Sequence, residues 1–458
     1  MKNSTKRKLK KRRYWEKVSR KALKKKNKIK KSKIRKQKKD KRQHIDQNKR
    51  KNNILLDFLT LSNFNKKRRT DIYNNKATIY IPEIFSFIEN PDDTIETLQR
   101  VMYLGLRKDV HEIELDHSNC SELEIGASAV MDILLLCVKD LKRIKGKTFN
   151  LGGVLPEDKN IREILFISGI LNTLGLVRHD ELPSMVKKLE MIHGGSDVLK
   201  IFRNQHYTSG EAATEITNYF NDCLSTQGFN LNSEGKKLVS EMVGEVIDNC
   251  GLHSGDFSQW YAIGHYTMTG HVEYGECMLS IFNFGQTIYE GLNSPSTSTI
   301  IKDDLLNMSK THRGFFGVGG WCEEVLWTLY SLQDGVSRLR DSQTDPDRGT
   351  GTIKLINSFQ QIGDTYKGKK AKMSIVSGNS YILFDHKYSL KEINIQGANG
   401  MEKRSIIAFN STNNLDEPPD ANNVKRLHNY FPGTIISMKF YLDKKFIAER
   451  INSGKEGV

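Results

Sequence analysis

The stretch EVIDNCGLH, residues 245–253, sets a glutamate, an asparagine and a histidine four positions apart. It closes a longer segment, NSEGKKLVSEMVGEVIDNC (232–250), in which Leu238, Val239, Met242, Val243, Val246 and Ile247 recur at helical spacing as one apolar stripe. Gly251 stands where a helix usually stops. At about 100° per residue, Glu241, Glu245 and Asn249 run along the flank of that stripe, each nearer to it than the last. The spacing predicts a helix over 232–250 with Glu245 and Asn249 at the edge of its buried face. A carboxylate there can orient a water as general base. An amide oxygen there can hold Mg2+, which takes oxygen ligands and keeps waters for phosphates. His253, just beyond, can touch a phosphate or cap the turn. Taken alone, Glu and Asn on a helix flank are more often solvated than catalytic, so the rest of the chain decides.

Downstream, CMLSIFNFGQTIYEGL (277–292) reads as a strand entering a turn at Asn283-Phe284-Gly285. PDRGTGTIKLINSF (346–359) places a G-T-G before an apolar-periodic helix, and such glycines let backbone N–H groups approach an anion. SIVSGNSYILFD (374–385) and PGTIISMKFYL (432–442) read as strands, the second alternating Ile436, Met438, Phe440 and Leu442. Upstream, TSGEAATEITNYFNDCLSTQG (208–228) has helical spacing. Residues 386–431 are polar and read as a hairpin or long loop open to a partner.

This order resembles the GHKL superfamily: gyrase, the MutL repair proteins, histidine kinases and anti-sigma serine kinases. The resemblance spans 206–445 and implies an α/β two-layer sandwich, the Bergerat ATP-binding fold. It sets Glu245 in the general-base position and Asn249 in the Mg2+ position of the N-box, with His253 following. Asn283-Phe284-Gly285-Gln286-Thr287 matches the adenine-binding D-x-G-x-G box, Arg348-Gly349-Thr350-Gly351 the second glycine box, and Gly433-Thr434 the last strand start. Two positions depart: Asn283 replaces the aspartate that accepts from adenine, and Thr287 replaces the second glycine. The resemblance implies ATP and Mg2+ as ligands, slow hydrolysis, and a lid in 293–345 whose Lys310 or Arg313, or Arg348 beyond it, meets the γ-phosphate. No G-K-[ST] follows a glycine cluster, so the chain is not a P-loop enzyme. The same resemblance admits a serine/threonine kinase of the anti-sigma type acting on a partner. A histidine kinase needs a phosphorylatable histidine on a dimerisation helix. The faint candidate His179, in HDELPSMVKKLEM (179–191), has Pro183 nearby and no coiled coil around it.

Before that region the chain alternates strand and helix. ATIYIPEIF (77–85), VHEIELD (110–116) and KTFNLGGVL (147–155) read as strands, separated by helical 93–108 and 125–144 and followed by helical 161–176. The pattern over 75–178 resembles the STAS domain of anti-sigma-factor antagonists, which implies docking to a protein partner. The family's Asp-Ser pair falls at Glu124 and Ile125, neither of which carries a hydroxyl, so a docking module fits better than a phosphoswitch.

The 458 residues carry a net charge of +17. Residues 1–51 hold 27 of the 71 Lys and Arg but only three of the 54 acids, so this arm bears +24 and the remainder −7. Such a segment lacks core-forming side chains and reads as a disordered arm for nucleic acid or another polyanion. A scaffold whose only activity is nucleic-acid binding through the arm is therefore a third reading. Residues 52–74 read as a linker, 179–205 as a connector and 446–458 as a tail. The longest apolar run, MDILLLCV (131–138), is too short to span a bilayer, and no secretory signal is visible. Six scattered cysteines without C-x-x-C spacing fit reduced thiols in a cytoplasm. The oligomeric state is left open.

Overall fold

The computed structural model describes residues 55, 57–60, 72–168, 186–195, 206–253, 259–268, 274–312, 321–334, 336, 351–361, 368–397 and 400–452. The chain divides into Met1–Ile54 and Leu55–Val458, and the described residues all belong to the second unit.

Its centre is an antiparallel sheet of five strands: β7 (Lys187–Gly194), β8 (Trp260–Thr267), β9 (Tyr274–Phe284), β10 (Lys372–Phe384) and β13 (Val424–Asp443), in the order β10-β13-β9-β8-β7. Alternation along β9 decides what each face meets. Leu279 and Ile281 point into one hydrophobic cluster, formed with α5 (Ser209–Ser225), α6 (Ser233–His253) and α10 (Gly351–Gln361). Ser280 and Phe282 point to the opposite face. There they meet a second helical layer, α2 (Pro91–Leu106) and α3 (Ile125–Ile144).

Helix α3 explains why MDILLLCV is so apolar. It packs on α2 and against β8 and β9, and its residues 125–135 are all buried. A helix covered all round needs no polar stripe. Helix α2 in turn touches β13 on one side and the second sheet on the other. That sheet has the order β1-β2-β4-β6: β2 (Lys76–Tyr80), β4 (Glu112–Asp116) and β6 (Asn150–Val154) are parallel, and β1 (Ile72–Tyr73) pairs antiparallel to β2. Short β3 (Ile84–Phe85) and β5 (Glu122–Leu123) pair beside it. Layers therefore run helix, sheet, helix, sheet.

Polar ties cross between the two halves expected from sequence. Asp92 accepts from the backbone N–H of His428 at 2.7 Å, and Lys439 lies 3.1 Å from Glu122 and 3.5 Å from Glu276. Glu124, at the N-cap of α3, is 4% exposed. Its Oε2 accepts from Ser86 Oγ (2.8 Å) and from the amides of Phe87 (2.6 Å) and Ile88 (3.2 Å), while Oε1 faces Ser280 Oγ of β9 at 3.4 Å. Burial pushes this carboxyl above its ordinary value, and the hydroxyls of Ser437 and Ser86 and the two amides pull against that shift.

Several boundaries differ from the sequence reading. The connector 179–205 contains β7, so the large sheet begins before 206. HDELPSMVKKLEM is not a helix where described: Lys187 onward is strand, and His179 lies outside the described residues. Helix α6 runs past Gly251 to His253, because a glycine only permits a stop and does not impose one. The helix expected over 161–176 is described as α4 (Lys159–Ser168), its remainder lying outside the described residues.

The lid region contains α8 (Thr299–Thr311) and α9 (Glu323–Tyr330), after the short α7 (Ile288–Leu292). Within the insertion expected over 386–431, β11 (Lys391–Gly397) pairs with β12 (Gly400–Ile406) as a hairpin, and residues from Val424 onward are already β13. The insertion docks on the region 293–345, read from sequence as a lid. Gln333 bonds the backbone of Ile407 in both directions (2.9 and 3.1 Å), Asp334 does the same for Ser405, and a ring nitrogen of His312 lies 2.7 Å from the Leu415 carbonyl. The last element is α11 (Lys444–Asn452).

Candidate functional site

The site is built where α6 ends against β9 and β13. Met242, Val243, Val246, Ile247 and Cys250 of α6 are all buried. From the centre of that face, Asn249 lies roughly 90° round the helix and Glu245 roughly 130°. Asn249 is accordingly half-buried, while Glu245 is exposed. The sequence reading set both at the rim; the geometry keeps only Asn249 there. The side chain of His253 lies outside the described residues.

Asn283 is fully buried and ties three elements together. Its Nδ2 donates to the Cys250 carbonyl on α6 at 3.0 Å, and its Oδ1 accepts from the Thr434 amide on β13 at 3.0 Å. Cys250 is the residue after Asn249, so this amide sets the height of α6 against the sheet. Burial pushes the Cys250 thiol up to about 12, which keeps it neutral beside the tie. Gly433 makes the approach of the two strands achievable. Its φ is +147°, and a Cβ there would lie 2.1 Å from the Asn283 carbonyl oxygen. The Gly285 amide donates to the Pro432 carbonyl at 3.1 Å.

Ser377 of β10 extends the polar row, its Oγ lying 2.8 Å from Thr434 Oγ1 and accepting from the Ile288 amide at 2.9 Å. Sequence reasoning missed it. The signal was present, since Ser377 continues the inward-facing register of Met373 and Ile375, where an apolar side chain is expected. Thr287 also finds its reason here. It caps α7, accepting from the Glu290 amide while Glu290 accepts from its own amide at 3.0 Å. A capping threonine stands where the GHKL box would have glycine. Beside this turn, Glu324 Oε1 accepts from the Asn379 amide at 2.8 Å, and burial raises its carboxyl above the usual range.

Of the residues picked out by sequence, Asn283 thus joins Thr434 to the end of α6, where Asn249 precedes Cys250, and Gly285 is tied to the neighbouring Pro432 carbonyl. Gly351 opens helix α10, which packs against α6. Arg348, Gly349 and Thr350, like Arg313 of the lid, lie outside the described residues. Lys310 is exposed at the end of α8. Among the described residues no group of three or more His, Cys, Asp and Glu side chains is placed to hold a metal. No helix among them is long and apolar enough to cross a membrane. None of the six cysteines is in a disulfide. Comparison with family models, curated proteins and solved structures gives no match.

Proposed function

We propose that this chain is a GHKL-type ATPase, a nucleotide-dependent switch that binds ATP and Mg2+ at the C-terminal end of α6. One observation carries the reading: Asn283 joins the ends of three separated sequence boxes through its own two amide atoms. The element order supports it as well, since a strand, two helices and two strands precede the lid, and a glycine-started helix and two sheet strands follow it. Mg2+ bound to a triphosphate needs one or two protein oxygens and completes its shell with waters, so a single half-buried amide such as Asn249 suits it. The ion would neutralise charge on the phosphates. Gly349, Thr350 and Gly351 would offer backbone N–H groups to the phosphates at the start of α10, where the helix dipole favours negative charge. Arg348 would add a fixed cation, and His253 a further phosphate contact. Glu245, exposed on the flank of α6 one turn before Asn249, would orient the attacking water once the lid closes over that flank.

Asn283 Oδ1 keeps a second lone pair for the adenine amino group. Because the side chain is fully buried, the Gly285–Thr287 turn has to shift before a base can reach it. The amide lacks the charge of an aspartate, which makes base recognition weaker. Lid closure onto the γ-phosphate would couple nucleotide state to conformation. The β11–β12 hairpin, bonded to the lid at Gln333 and Asp334, would move with it, whereas residues 424–431 belong to β13 of the central sheet. Residues 1–51 would bring this switch to nucleic acid, and the α/β module at 75–178 remains a surface for a protein partner. Transfer of phosphate to that module within one chain is disfavoured, because Glu124 and Ile125 sit against the sheet face opposite α6.

The test is ATP hydrolysis by the purified full chain, with Glu245→Ala expected to abolish turnover and spare nucleotide binding. Radiolabel appearing on a serine or threonine of a partner would instead favour the kinase reading.

A further inference from the structure

A cavity of about 780 Å3 opens between five elements at the far end of α6 from Asn249. Its walls are the end of α5 with the turn after it, the first half of α6, the second half of α10, the end of β13, and α11. Phe220, Met242, Phe359, Phe440 and Phe446 line its interior. Met242, Phe359 and Phe440 are buried floor residues, at 7%, 1% and 5% exposure, while Phe220 and Phe446 are half-buried walls. The volume falls within the roughly 300–1,000 Å3 typical of small-molecule sites, and an apolar, aromatic lining with a few polar groups is their usual composition.

The mouth carries those polar groups: Asn230, Asn232, Glu234 and Gln361. Among the described lining residues there is no lysine or arginine. The start of α6 does not supply positive charge either. Asn232 Oδ1 accepts from the Gly235 amide at 2.7 Å, and Glu234 occupies the first turn, so the helix end is capped and its dipole offset.

We propose that this cavity binds a small amphiphile with a largely apolar body and a hydrogen-bonding head that carries no negative charge. The amide groups at the rim offer both donors and acceptors to an uncharged head, and Glu234 repels an anionic one. The inference does not rest on the nucleotide reading, because none of the lining residues belongs to the Asn249–Asn283–Thr434 site. The two sites nonetheless share helices. Cavity residues on α6 end at Met242, about 10 Å along the helix from Asn249. Cavity residues on α10 span Leu355 to Gln361, and Gly351 opens the same helix.

The experiment uses the full chain and the uncharged fluorescent probe N-phenyl-1-naphthylamine. Saturable binding with one site per chain is expected. Val239→Trp, which fills the cavity from α6, is expected to weaken it at least tenfold. Ser358→Trp, at the half-buried rim of α10, is the second variant in case the first fails to fold, with circular dichroism as the folding check. Dodecanol and dodecylammonium should displace the probe at concentrations at least tenfold below laurate. Glu234→Gln should narrow that gap. Absence of saturable binding, binding unchanged in the folded variants, or laurate competing as well as dodecanol would each overturn the proposal.

Discussion

At the scale of single residues, Asn283 holds the most consequence for its size. Replacing it by alanine strands the Thr434 amide and the Cys250 carbonyl inside the protein. Urea unfolding should show a loss of about 3 kcal/mol, the cost of two buried groups without partners. Asn283→Asp restores the acceptor for Thr434 but opposes a carboxylate to the Cys250 carbonyl, so it should not recover full stability. Gly433→Ala should be at least as damaging, by about 3 kcal/mol or more, since its φ and the 2.1 Å approach to Asn283 both exclude a side chain. Asn283 and Thr434 stood out in sequence as two separate boxes, but neither their bond to each other nor the bond to Cys250 was legible. A backbone carbonyl carries no side-chain signature. Glu245 shows the opposite error: the four-residue spacing with Asn249 is real, yet the extra 40° or so of helical rotation carries it into solvent.

At the scale of elements, α3 and its cap determine how the two halves meet. The period of α3 announced a helix over the very residues found, 125–144. What sequence reading treated as two separate globular parts is one layered unit, because residues such as Glu124 and Lys439 reveal their partners only after folding. Glu124→Ala leaves the Ser86 hydroxyl and the Phe87 amide without this acceptor, while the Ile88 amide keeps Ser86 Oγ at 3.0 Å, and should cost about 3 kcal/mol. Glu124→Gln keeps an acceptor oxygen and should stay near the wild type at neutral pH. The pH dependence separates the two further. Burial raises the Glu124 carboxyl above 4.5 in the folded chain, so the folded state binds this proton more tightly than the unfolded one. That contribution to stability is full below about 4.5 and is lost as pH rises through the folded value. Wild type should therefore gain on Glu124→Gln as pH falls from neutrality toward about 4.5, measured as the difference in urea midpoints. In the lid, Gln333→Ala should speed hydrogen exchange at the Ile407 amide, because its acceptor is removed. Residues 386–431 read from sequence as a hairpin or long loop; the hairpin lies at 391–406, residues 424–431 join β13, and docking at Gln333 depends on a side-chain amide that pattern reading cannot pair.

At the scale of the whole molecule, charge and chemistry are divided between parts. Deleting residues 1–51 changes the formal charge from +17 to −7. Retention on nucleic acid should fall steeply with salt for the full chain and vanish for the truncated one, while nucleotide binding stays the same. Retention persisting after the deletion would move the nucleic-acid surface to the folded unit. The account as a whole depends on a divalent ion held at the end of α6. Calorimetric titration of ATP into the full chain, with and without Mg2+, compares wild type with Asn249→Ala. The account predicts Mg2+-dependent binding that weakens at least tenfold in the variant. Equal affinity for both proteins, or no heat of binding to the wild type, would contradict it.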